Sequence, residues 1–236
     1  MADETGWMPG VARMPTSAWG YSGFPEDGMY PQAVVCHVAQ GYFGGLTNIA
    51  RSNEPGKSWH FSVGRGGEIA QHVSIWNPAY HAGIVADPQP AAGALLARFG
   101  QNPNTWSVGI EQEGFSVDPG YGYDYIYGPE HPWPAAQTEA VIKITKWVWS
   151  MCQWLADLPA EQIPGRIITH STIDQRTRRQ DPGDFWLAMV RPKILAAMQG
   201  APAPAPPAAT AEVPAALELM RAALAATAGA IVKLGG

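Results

Sequence analysis

The run Ala33-Val-Val-Cys-His-Val-Ala39 constrains this chain more than any other stretch. Its length and β-branched residues mark it as a buried strand, and a buried strand needs further layers to cover it. Ser58-Trp-His-Phe-Ser-Val63 and Glu68-Ile-Ala-Gln-His-Val73 flank Gly64-Arg-Gly-Gly67, a pattern that predicts a hairpin with a glycine turn. Trp106 to Gly114 reads as another strand. There Val108, Ile110 and Gln112 alternate with Gly109, Glu111 and Glu113, so the two glutamates are expected to share one face. Ile167-Ile-Thr-His170 is a second apolar run that ends in histidine.

Helical spacing appears between these runs. Pro134 opens a helix over about Ala135 to Leu155, with Val141, Ile144, Val148, Cys152 and Leu155 on one stripe. Ala91 to Phe99 is a shorter helix stopped by Gly100, and Phe185 to Met198 must kink or begin at Pro192. Strands interspersed with helices predict an α/β domain with a mixed central sheet flanked by helices. Composition breaks once, at Ala201-Pro-Ala-Pro-Ala-Pro-Pro207, where proline favours an extended spacer. The expected organisation is a domain over residues 1–200, a Pro/Ala-rich linker over 201–214 and a short C-terminal helical tail over 215–236. The segment Trp7 to Pro31 carries no assignment.

Charge and length exclude several functions. Fifteen basic and twenty acidic residues give a net charge of -5, which provides no electrostatic footprint for nucleic acid. A domain of this size buries about 70% of its unfolded surface and needs no metal merely to fold. A bound metal therefore has a chemical task. Two cysteines, Cys36 and Cys152, are too few for a disulfide scaffold, and both are expected to stay reduced in the core. No window has the roughly 18 apolar residues of a transmembrane segment. No apolar signal-like stretch follows Met1-Ala-Asp-Glu-Thr-Gly6, so the expected site of synthesis is the cytoplasm. Ten tryptophans exceed ordinary core use; core and rim packing is the bland reading and sugar stacking the functional one.

Six histidines occur, and each needs company before it counts as a ligand. His37 follows a buried strand, His170 ends another, and Asp181 stands eleven positions later in Gln180-Asp-Pro-Gly183. Two imidazoles and a carboxylate form a three-ligand set of the kind that holds catalytic zinc with one position open. The spacing alone is weak evidence for it.

The segments Val35-Cys-His37, Trp59-His-Phe-Ser-Val63, Tyr80-His-Ala-Gly83, Ser107-Val-Gly-Ile-Glu111, Thr169-His170 and Asp181-Pro-Gly183 resemble, in that order, the zinc-dependent N-acetylmuramoyl-L-alanine amidases. That family includes phage endolysins, bacterial amidases and animal peptidoglycan recognition proteins; the chain looks most like a phage endolysin. The resemblance covers roughly residues 30 to 190. It implies a mixed sheet with flanking helices, a groove for peptidoglycan, and hydrolysis of the amide between the lactyl group of muramic acid and L-alanine. By the same resemblance His37, His170 and Asp181 are the Zn2+ ligands, and Glu111 is the general acid/base, with Glu113 as its same-face rival.

The chain departs from the family twice. Many members carry lysine two positions before the last ligand, where this chain has Arg179, which keeps a positive charge for an oxyanion. Several have a tyrosine near the metal where this chain has Trp59, which lacks a hydroxyl. Trp59 and His81 are the candidate substrate-binding residues, with structural hydrogen bonding the equal alternative for His81. Cys36 cannot join His37 at a metal, since adjacent strand residues face opposite ways. His60 and His72 are expected to serve the sheet.

The reading that follows is a wall-lysing amidase, made without a signal peptide and released through a holin. A cytoplasmic wall-recycling amidase and a non-catalytic peptidoglycan-binding module are the alternatives. The tail's charges, Glu218, Arg221 and Lys233, are too few for a basic membrane-surface helix. Docking on the domain, weak self-association or envelope contact are the functions left to it.

Overall fold

Alternation along Ala33–Val38 divides the core in two. In this computed structural model, which describes residues 5–17, 30–116, 127–128, 131–174, 176 and 180–200, those six residues form strand β2. Val34, Cys36 and Val38 face one hydrophobic cluster, and Ala33 and Val35 face another. Both faces are covered, as the uninterrupted apolar run requires.

The other strands are β1 (Ala12–Arg13), β3 (Phe61–Val63), β4 (Ile69–Gln71), β5 (Ser107–Gln112) and β6 (Ile167–Thr169). They form one six-stranded mixed sheet in the order β1-β4-β3-β5-β2-β6. β2 pairs in parallel with both β5 and β6, and β3 pairs in parallel with β5. The expected hairpin is present as the antiparallel pair β3–β4, shorter than the sequence pattern. Gly67, at φ +91, takes the left-handed backbone that its turn needs.

The helices are α1 (Phe43–Arg51), α2 (Pro90–Phe99), α3 (Ala135–Met151), α4 (Gln153–Ala156), α5 (His170–Ile173), α6 (Asp184–Met189) and α7 (Arg191–Met198). α3 buries Val141, Ile144 and Val148 against the Cys36 face, together with Trp186 and Ile194; burying each such aliphatic chain contributes about 1.5–3 kcal/mol. Leu95 and Leu96 of α2 cover the Val35 face with Trp106 and Ile168. α2 stops at Gly100, at φ +93, and α7 begins with Pro192 in its first turn, both as expected.

One long helix was expected to Leu155, but the backbone breaks at Cys152, at φ -119 and ψ 95. The Cys152 N–H turns back to the Trp149 carbonyl at 3.2 Å, and its own carbonyl starts α4. Cys152 and Leu155 stay buried on both sides of the break, so the apolar spacing carries no mark of it.

The unassigned N-terminal segment joins the sheet, since β1 runs parallel to β4 with Ala12 opposite Ala70. Cys36 and Cys152 are free and buried. Every tryptophan among the described residues is buried or half-buried, which favours the packing reading. No helix among the described residues is long and apolar enough to cross a membrane. The linker and the helical tail, over 201–236, lie outside the described residues.

Candidate metal centre

Parallel strands open their ligand-bearing crevice at their carboxyl ends, and the candidate residues gather there. His37 lies one residue from the end of β2, opposite Glu111 of β5. β6 delivers His170 directly after its last residue, Thr169, whose side chain accepts the Thr172 N–H and caps α5. Asp181 arrives from a loop tied back to α5. Ser171 N–H donates to the Asp181 carbonyl at 2.9 Å, and the Ser171 hydroxyl donates to the Pro182 carbonyl at 2.6 Å.

His170 Nδ1 lies 3.1 Å from His37 Nδ1 and 3.1 Å from Asp181 Oδ2, and His37 Nδ1 lies 3.5 Å from that same oxygen. These three atoms fall within 4.8 Å of one another. The Nε2 atom of His170 is 3.0 Å from the Ala82 carbonyl, which can only accept, so Nε2 carries the proton and the lone pair of neutral His170 is on Nδ1. A shared proton bonds two such atoms, whereas a metal ion bonds all three. Two imidazole nitrogens and one carboxylate oxygen match the donor chemistry of zinc, so the residues present fit the ion. Burial alone would raise the Asp181 pKa, but whenever His37 and His170 are protonated their charges and N–H bonds outweigh it and hold the carboxyl well below the usual carboxylate range.

Glu111 stands beside this cluster without joining it, its Oε1 3.9 Å from His37 Nδ1. Glu113 is elsewhere: its Oε2 accepts the Arg65 N–H at 2.8 Å, and β5 ends before it. The expected same-face rivalry is thereby resolved in position, with Glu111 alone lining the cleft. Arg179 lies outside the described residues.

The cleft has a volume of about 910 Å3. Trp59 lines it and is buried, its indole N–H donating to Ser62 Oγ at 2.8 Å. Ser62 Oγ in turn meets His72 Nε2 at 2.8 Å, and His72 Nδ1 meets the Met14 carbonyl at 2.9 Å. His60 serves the sheet as expected: its Nδ1 accepts the Gly109 N–H at 2.9 Å. His81 also lines the cleft, but both ring nitrogens are engaged within the protein, Nδ1 at 3.0 Å from His37 Nε2 and Nε2 at 3.3 Å from the Ser107 carbonyl. Burial first, and the neighbouring rings of His37, His60 and His170 after it, hold the His81 pKa well below its ordinary value.

Several site residues carry no sequence signal. Asn104 Oδ1 accepts the N–H groups of both His81 and Ala82, at 2.8 and 2.7 Å. Gln112 donates to the His37 carbonyl at 3.0 Å and accepts the Trp186 indole N–H at 3.1 Å. Asp174 lines the cleft too, and beside it stands Arg176, a basic residue that the sequence does show close to Arg178 and Arg179; the Arg176 N–H donates to Asp174 Oδ1 at 3.0 Å. Ile84, 76% exposed, and Ile49 stand on the cleft as exposed apolar groups.

The profile of the family described as N-acetylmuramoyl-L-alanine amidase matches residues 27–184, a span that contains His37, Glu111, His170 and Asp181. Among solved structures the chain is similar to a selenomethionine AmpD derivative, at 22% identity over 78% of this chain and 93% of that one, with a TM-score of 0.53. It is also similar to AmpDH3 from Pseudomonas aeruginosa, at 17% identity over 76% of this chain and 64% of that one, with a TM-score of 0.52. At these identities the likeness is one of fold. No curated protein matches the sequence.

Proposed function

This chain belongs to the N-acetylmuramoyl-L-alanine amidase family, and from that premise we propose that it hydrolyses the amide between the lactyl group of muramic acid and L-alanine in peptidoglycan, with Zn2+ held by His37, His170 and Asp181. The observation that carries the reading is the convergence of His37 Nδ1, His170 Nδ1 and Asp181 Oδ2 within 4.8 Å, with Glu111 alongside on the next strand. When bound, Zn2+ supplies Lewis acidity and makes water a competent nucleophile near pH 7.

Glu111 accepts the proton that the attacking water gives up and returns it to the L-alanine nitrogen as the carbon–nitrogen bond breaks. The water oxygen remains in the new lactyl carboxylate. Arg179 is assigned, from its place two residues before Asp181, the positive charge beside the oxyanion that forms on the attacked carbonyl. Trp59 offers substrate an indole wall whose N–H is already committed to Ser62.

The wall-lysing role of a phage endolysin, reached after release from the host cytoplasm, suits a domain followed by a Pro/Ala spacer and an Ala/Leu-rich tail. A recycling amidase would instead take small soluble muropeptides. The test is digestion of purified sacculi and, in parallel, of soluble muropeptides, with mass spectrometry of the new ends. Free lactyl carboxylates and new L-alanine amines from sacculi support the lytic reading, whereas cleavage confined to soluble fragments assigns recycling. Full activity in metal-free protein after exhaustive chelation would overturn the zinc assignment.

A further inference from the structure

His81 sits at the foot of the cleft in a place that another residue vacates. A Cβ at position 109 would lie 2.5 Å from His81 Cγ and 2.8 Å from its Cδ2 and Nδ1, so the imidazole occupies the space of the missing Gly109 side chain. Gly109 is two residues before Glu111 on β5 and therefore shares its face, the one that His37 faces across the β2–β5 register. The backbone of the same segment is pinned from below, where Asn104 Oδ1 takes the N–H groups of His81 and Ala82.

The hydrogen-bond directions around His81 are determined. The Ser107 hydroxyl donates to the Pro103 carbonyl at 2.7 Å, so toward His81 Nε2 both Ser107 Oγ and the Ser107 carbonyl, each at 3.3 Å, can only accept. Nε2 of neutral His81 therefore carries the proton, and its Nδ1 is an acceptor. The group it faces, at 3.0 Å, is His37 Nε2. An acceptor there requires His37 Nε2–H, which leaves the His37 lone pair on Nδ1, on the side of His170 and Asp181. One residue on, the Ala82 carbonyl imposes the same tautomer on His170.

We infer that the His81–Ala82 segment, hung on Asn104 and seated on Gly109, is the positioning device that sets both histidines in the Nε2–H tautomer and aims their Nδ1 lone pairs at one divalent metal ion. The inference rests on the metal reading above and adds to it the residues that orient the ligands. Outer partners of this kind typically change metal affinity 10- to 100-fold when removed.

Three variants separate orientation from packing. His81→Asn places an amide oxygen where Nδ1 stands, His81→Phe keeps the ring volume with no acceptor, and Asn104→Ala releases the segment. In the metal-free, 15N-labelled full chain at pH 8, long-range 1H–15N spectra should show His37 protonated on Nε2 in the parent and in His81→Asn, and a tautomer mixture in His81→Phe. Zinc affinity, read by chelator competition, should stay within a few-fold of the parent in His81→Asn and fall about 10- to 100-fold in folded His81→Phe and Asn104→Ala. A parent whose His37 is protonated on Nδ1, or a folded His81→Phe that binds zinc as tightly as the parent, overturns the inference. A parent with the Nε2–H tautomer that takes up no zinc overturns the metal reading and upholds the tautomer assignment.

Discussion

The Val38 N–H donates to Asp181 Oδ1 at 2.8 Å, joining residues 143 positions apart at the end of β2. One carboxylate oxygen is thus spent on the backbone, and the other, Oδ2, is left facing His170 and His37. Asp181→Asn can keep the first contact while losing the charge that the second supplies. The variant should fold and melt close to the parent, yet zinc measured by elemental analysis should fall from about one per chain toward none. His37→Ala should lose both zinc and turnover. Full zinc retention in Asp181→Asn would move ligation away from this oxygen.

Glu111→Gln keeps the shape of a residue beside the cluster and removes its proton acceptor. Zinc content should be unchanged and kcat on peptidoglycan reduced about 10²- to 10⁴-fold. Glu113→Gln should be far milder, because its carboxylate accepts the Arg65 N–H and a glutamine oxygen can do the same. The reverse order of damage in a kinetic comparison would exchange the two roles.

Arg179→Lys should remain active, and Arg179→Ala should lose about 10²- to 10³-fold in kcat, the cost typical of one lost oxyanion donor. Full activity in both variants would remove Arg179 from the chemistry and place it on the solvated surface.

His60 and His72 make the fold acid-sensitive. Burial lowers the pKa of each to about 4, and the neutral ring is the form in which His60 Nδ1 accepts the Gly109 N–H and His72 Nε2 accepts the Ser62 hydroxyl. The unfolded chain, with histidines near 6.5, takes up protons first as pH falls. Their stabilisation is therefore complete above about pH 6.5 and is lost as pH drops toward 4, at about 1.4 kcal/mol per pKa unit for each ring. Urea midpoints of the metal-free chain should decline over that window. His72→Asn, which keeps a donor for the Met14 carbonyl, should decline less steeply; identical slopes would show that His72 does not titrate between the states.

Truncation after Gly200 should leave hydrolysis of isolated peptidoglycan nearly unchanged while lowering lysis of whole cells. A folded, zinc-loaded truncation that fails to cleave purified wall material would place the tail within the catalytic unit.

The strand-end histidines were legible because a buried strand announces itself through apolar, β-branched residues, and a histidine at its end stands out against them. The strand pattern offered Glu111 and Glu113 equally, and only the family resemblance singled out Glu111. Asn104 was not legible, because its role depends on one side-chain oxygen reaching two backbone N–H groups, which no spacing encodes. The partnership of His81 with Gly109 was hidden for a related reason: an absent Cβ on β5 matters only once the loop carrying His81 is folded over it. The break at Cys152 escaped notice because the inward stripe runs through it undisturbed.

β1 is only two residues long, yet it closes one side of the sheet. It lies along β4, and the Met14 and Thr16 N–H groups donate to the carbonyls of Gln71 and His72 just beyond it. The family match begins at residue 27, so a version of the protein cut to that boundary would lack this strand. β4 would then present unpaired backbone to solvent, a template on which a second molecule can add its own strand. A minimal catalytic fragment designed from the family boundary should therefore be prone to self-pairing and precipitation, and one that retains Thr5 to Ser17 should not.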